Sequence, residues 1–90
     1  MSRVERTVTI SNQRGLHARA SSKFVTLVSE LDTEVEVRRD GNAVAGSSIL
    51  DLMMLGAAMG DNITISAEGD GAEEAVGKLA ALVESKFGED

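Results

Sequence analysis

Cysteine is absent from this 90-residue chain, and histidine occurs once. The first absence removes disulfides, thiolate chemistry and cysteine zinc sites together. The second excludes a multi-histidine metal site, and no cofactor motif takes its place. No run of about eighteen apolar residues is present, so nothing suggests a membrane span. The segment Met1-Ser2-Arg3-Val4-Glu5-Arg6 lacks the apolar core of a signal peptide, and a soluble, cytoplasmic protein is expected. Basic residues are in the minority: the formal net charge is −6, which argues against a nucleic-acid partner. Ninety residues suit one domain, 1–90, with little room for an enclosed cavity. A surface site or a binding face is the expectation.

What is present is unevenly spread. Over residues 1–29, Arg3, Arg6, Arg14, Arg19 and Lys23 stand against Glu5 alone, a net of +4. Over residues 30–90, Arg38, Arg39, Lys78 and Lys86 face fourteen acids, a net of −10. Arg3 and Arg6 read as solvated strand charges. Arg14 and Arg19 flank the single histidine, His17.

Period-two alternation marks the strands. Val4, Val8 and Ile10 share one parity, Val35 and Val37 alternate with Glu34, Glu36 and Arg38, and Ile63, Ile65 and Ala67 alternate with Asn62, Thr64, Ser66 and Glu68. Asp40-Gly41-Asn42 signals a tight turn, so Ala43–Gly46 should return as a short partner strand. Ala20, Phe24, Leu27, Val28 and Leu31 form one helical stripe. Ala72, Ala75, Val76, Leu79, Val83 and Phe87 form another. Between them Ser47 and Ser48 precede a short apolar helix that Gly56 stops. The order is βαββαβα. The predicted fold is α+β, a two-layer open-faced sandwich with a four-stranded antiparallel sheet and three helices on one face.

Asn12-Gln13-Arg14-Gly15 reads as a glycine-containing turn, and the first helix begins at or just after His17. The first amides of a helix lack internal partners, and that end carries partial positive charge. The field disfavours an imidazolium, so a neutral, nucleophilic ring is expected near pH 7. It welcomes a phosphate attached to that ring. The dipole alone contributes about 0.3–1 kcal/mol, or about 2 kcal/mol when partly buried. Charge-assisted hydrogen bonds from Arg19 and the backbone add roughly 1.5–3 kcal/mol each before screening. Those sizes suit reversible loading.

Gly15-Leu16-His17-Ala18-Arg19-Ala20-Ser21-Ser22 resembles the phosphorylation signature of the histidine-containing phosphocarrier (HPr) family of the bacterial phosphotransferase system. Gly46 to Gly56 resembles that family's second helix with its regulatory serine, and element order and length agree along nearly the whole chain. The resemblance implies a phosphocarrier, not an enzyme. His17 would accept a phosphoryl group from phosphorylated enzyme I and pass it to a histidine of an IIA-type domain. Arg19 would support the group in transfer, with Asn12, Gly15 and Ala18 shaping the phosphate site. Ala20 stands where many members have proline; alanine keeps the N–H and forms helix well. Ala20 and the Gly56–Gly60 region lean toward the nitrogen-related branch over sugar transport.

By the same resemblance, Ser48 would be a regulatory phosphorylation site for HPr kinase/phosphorylase. Asp51, where many regulated members have glycine, would weaken that recognition. A phosphate there adds about −1.5 to −2 charge beside the docking surface; the plainer role of such a serine is to cap the helix. Ala20, Leu50 and Met53 are the expected partner contacts, with Ile49 and Leu52 in the core. A monomer is expected. Two other classes fit less well. An acyl carrier protein shares the size, acidity and serine before an apolar helix, but lacks the three alternating strands and would need Asp in place of Ser47. A small-molecule-binding regulatory domain explains the sheet and leaves His17 without a task.

Overall fold

The computed structural model describes residues 3–89. The alternating segments form β1 (Arg3–Thr9), β2 (Val35–Arg39), β3 (Asn42–Ala45) and β4 (Asn62–Glu68). They lie in the order β1-β4-β2-β3, every pair antiparallel. Val8 pairs with Ile63, and Ile65 pairs with Val37 on its other side. Val8, Val35, Val37, Ile63, Ile65 and Ala67 are thereby buried together. The opposite face is polar: Thr7 and Thr64 hydroxyls meet at 2.9 Å, and Arg3 bonds Glu5 at 2.9 Å and Glu36 at 3.1 Å. Ser66 departs from the simple alternation. It is buried beneath Arg3, whose guanidinium donates to its hydroxyl at 3.2 Å. The β2–β3 turn is the two-residue kind, with φ of 50° at Asp40 and 86° at Gly41, matching the twist of a hairpin.

Three helices cover the apolar face: α1 (Ala18–Leu31), α2 (Ile49–Met54) and α3 (Ala72–Glu84). Ala20, Phe24 and Val28, spaced by one turn, are buried from α1; Ala72, Ala75, Val76, Leu79, Ala80 and Val83 are buried from α3.

Three expectations need correction. Phe87 does not continue α3. The helix ends at Glu84, and the chain enters a 3₁₀ turn, Lys86–Gly88, with Lys86 and Phe87 in the left-handed region (φ 61° and 54°). The ring still reaches the core, and its burial offsets the backbone strain, of order 1–3 kcal/mol for such a residue. Ile49 is not core: at the first position of α2 it is 39 % exposed, while Leu52 is fully buried. Ala20 is not a surface contact, because it heads the buried stripe of α1 and has no exposed area.

Candidate functional site

The loop between β1 and α1 is held from below. Ile10 N–H donates to Asp61 at 2.8 Å, Gly60 N–H returns a bond to Ile10 at 2.8 Å, and Leu16 N–H donates to the Ala57 carbonyl at 3.0 Å. Arg39 secures this platform by pairing with Asp61 at 3.0 Å and donating to the Leu55 carbonyl at 3.0 Å. Gly15 sits against the platform with φ of 65°. A Cβ there would meet the Ala57 carbonyl oxygen and come within 2.9 Å of Ala58 Cα. Glycine is required on both counts.

That loop delivers His17 as the N-cap of α1, with extended backbone (φ −76°, ψ −177°). Its Nδ1 accepts from Arg19 N–H at 3.2 Å, and Ser21 N–H is bonded back to the His17 carbonyl at 2.9 Å. The first turn of α1 carries no acidic residue, so the positive end of the helix is left uncompensated by its own side chains. Ala18 and Arg19 are exposed beside the ring. The Arg19 guanidinium makes no hydrogen bond or ion pair with any described residue, and the same holds for Arg14. The backbone of Arg19, not its charge, touches the histidine here.

The other ring nitrogen has a partner that sequence reasoning missed. Nε2 lies 2.7 Å from Glu89 Oε2, and both side chains are mostly covered, 18 % and 16 % exposed. An Nδ1 that accepts an amide N–H holds a lone pair, so the ring proton is on Nε2 and donates to the carboxylate. Glu89's second oxygen accepts from Asn12 Nδ2 at 3.1 Å, and the same nitrogen donates to the Gly15 carbonyl at 2.8 Å. Two acceptor partners fix the orientation of the Asn12 amide. Asn12 is completely buried, and its Oδ1 has no hydrogen-bond partner among the described residues. Burial opposes the charge of Glu89, but hydrogen bonds from His17 and Asn12, with the nearby charge of Lys23, outweigh it. The carboxyl is held below the usual range. Lys23 also fixes the C-terminal turn by donating to the Phe87 carbonyl at 2.7 Å.

Asn12, Gly15, His17, Ala18 and Arg19 thus converge on one site, whereas Ser48 belongs to another helix start. Ser48 Oγ accepts from Asp51 N–H at 3.1 Å and caps α2. Leu50 and Met53 are exposed, at 66 % and 40 %, and Met54 and Met59 more so than Met53, at 75 % and 58 %. Among the described residues no group of histidine, cysteine or acidic side chains suits a metal ion, and no helix is long and apolar enough to cross a membrane.

A family model described as the phosphotransferase-system HPr component phosphorylation site matches residues 4–85. The chain belongs to the HPr family. It is 42 % identical over 89 residues to the phosphocarrier protein NPr of Shewanella violacea, covering 99 % of this chain and 98 % of that one. The phosphocarrier protein HPr of Cupriavidus necator is 40 % identical over 86 residues, with 96 % and 97 % covered. The crystal structure of HPr-C-His from Thermoanaerobacter tengcongensis superposes with a TM-score of 0.91 at 42 % identity, covering 97 % of this chain and 98 % of that one. As an HPr-family member the chain is a phosphocarrier of the phosphotransferase system and not a catalytic enzyme. Glu89 lies beyond the segment matched by the family model. No local sequence pattern marks Glu89; the burial of Phe87, two residues earlier, is what brings this stretch of chain back to the site.

Proposed function

We propose that this protein carries a phosphoryl group on His17 Nδ1, taken from phosphorylated enzyme I and given to a histidine of an IIA-type domain, in sugar transport or nitrogen-related regulation. The observation that carries the reading is the N-cap geometry. Nδ1 faces the first amides of α1 with its lone pair, where a phosphoryl dianion meets N–H donors and positive potential with no competing carboxylate in the first turn. In loading, the Nδ1 lone pair forms the N–P bond as the donor's bond to phosphorus breaks. The ring keeps its Nε2 proton and gains positive charge. Donation reverses these steps, returning the electron pair to Nδ1.

Arg19 is the cation for the phosphoryl oxygens, since its guanidinium is unengaged by any described residue. Ala18 and Arg19 contribute backbone amides, and Asn12 and Gly15 position the loop. Leu50 and Met53 are assigned to the docking surface; adaptable methionines suit several partners. A single cytoplasmic domain acting as a monomer fits this role. Ser48 would accept regulatory phosphate from HPr kinase/phosphorylase, a modification whose oxygens would replace a cap already bonded to Asp51 N–H.

The test is loading from phosphoenolpyruvate and enzyme I. The wild-type protein is expected to gain one acid-labile phosphate, and His17→Ala none, with a native NMR spectrum. Normal loading of His17→Ala would contradict the reading. Arg19→Ala is expected to slow transfer more than it destabilises the fold. Incubation with HPr kinase/phosphorylase and ATP is expected to phosphorylate the wild type and not Ser48→Ala.

A further inference from the structure

We propose that Glu89 is a positioning residue for phosphoryl transfer: its carboxylate keeps the proton on His17 Nε2 throughout the cycle, so that Nδ1 serves as nucleophile and as departing atom with no proton transfer. This rests on the reading of His17 as phosphoryl acceptor. The geometry is a two-point hold. Oε2 takes the Nε2–H at 2.7 Å, and Oε1 takes the Asn12 amide at 3.1 Å, leaving the carboxylate 16 % exposed. The backbone that presents it is fixed independently. Phe87 is plugged into the core, Lys23 Nζ binds the Phe87 carbonyl at 2.7 Å, and Glu89 N–H donates to the Lys86 carbonyl at 2.8 Å. His17, which caps α1, and Lys23 within α1 are the titratable groups facing Glu89, and Asn12 from the preceding loop is its neutral partner.

The chemistry follows from where the charge goes. Attack by Nδ1 leaves the ring cationic, with Nε2–H its acidic site. If that proton were lost, breaking the N–P bond would expel an imidazolate, a poor leaving group. If it is retained, the departing group is a neutral imidazole. An ionised carboxylate against Nε2–H favours the second course by pairing with the cation, in the way a carboxylate orients a histidine in other transfer sites. The amide of Arg19 already selects the Nε2–H tautomer of the free ring. The distinct contribution of Glu89 is therefore made in the phosphorylated state.

The experiment uses the full chain, isotopically labelled in the imidazole, as wild type, Glu89→Gln and Glu89→Ala. Donation of the phosphoryl group is followed against pH, with the fold monitored by NMR. Both variants are expected to lose donation at a pH about one unit lower than wild type, the size expected when an adjacent opposite charge is removed. Glu89→Gln preserves shape and one acceptor oxygen, so a shift in that variant reports charge and not packing. An unmoved alkaline limb in both variants overturns the proposal. So does faster loading with an unmoved limb, which would make Glu89 a cover over the ring. If the wild-type protein loads phosphate elsewhere than His17, the underlying reading falls as well.

Discussion

Two helices in this molecule begin with the same device and opposite electrostatics. At the start of α1, His17 Nδ1 accepts an amide at 3.2 Å; at the start of α2, Ser48 Oγ accepts one at 3.1 Å. The first turn of α2 carries Asp51, which compensates the helix dipole, whereas the first turn of α1 carries no acid. Behind His17 stands a two-residue support, Asn12 and Glu89, that Ser48 lacks. A cap therefore does not make a site. An uncompensated helix start and a backed, nucleophilic atom together do so.

The comparison can be broken most forcefully at the platform under His17. Gly15→Ala forces a Cβ against Ala57 at positive φ, and a loss of about 2–4 kcal/mol in urea denaturation is expected, together with slowed loading. No loss of stability would mean that the loop relaxes freely. Making α1 resemble α2 is the sharper test. Ala18→Asp places an acid in the first turn of α1, and phosphoryl loading is expected to slow about tenfold with stability unchanged or raised by about 0.5 kcal/mol. Equal loading rates would show that the bare first turn is irrelevant. Ser48→Ala should cost about 1 kcal/mol of stability and leave His17 loading unaltered. The smallest effect concerns acid. Because the Glu89 carboxyl is held below its ordinary value in the folded protein, its stabilisation is present above about pH 4.5 and is lost as pH falls through the lowered value. Glu89→Gln should flatten that part of the pH–stability curve in thermal melts.

Most of the fold was legible because periodicity reports which face is buried. The alternation at Val35–Val37, the stripe Ala20–Phe24–Val28 and a tight turn at Asp40-Gly41 stand as read, whereas Ile63–Ala67 also buries Ser66 on its polar parity and β3 begins at Asn42 instead of Ala43. The departures have local physical causes. Phe87 keeps helical spacing in the sequence, yet the backbone leaves the helix after Glu84 and brings the ring to the core by a left-handed turn. Ile49 opens a helix of six residues, from which only Leu52 is buried. Ala20 lies within the signature that supplies the contact surface, yet its one-turn spacing from Phe24 puts it in the core.

The candidate site was half legible. His17 as an N-cap followed from the glycine turn and the helical stripe after it. Glu89 did not, because a contact across 72 positions leaves no local pattern. The field at the ring is therefore only partly visible in the sequence: the helix dipole follows from local pattern, and the carboxylate on the other nitrogen does not.

The most direct measurement is phosphorus–nitrogen correlation NMR on the protein loaded from phosphoenolpyruvate and enzyme I, with the imidazole nitrogens labelled. The account predicts a phosphorus bonded to Nδ1 of His17 and a proton retained on Nε2. A phosphorus bonded to Nε2, the nitrogen that Glu89 covers, would contradict it.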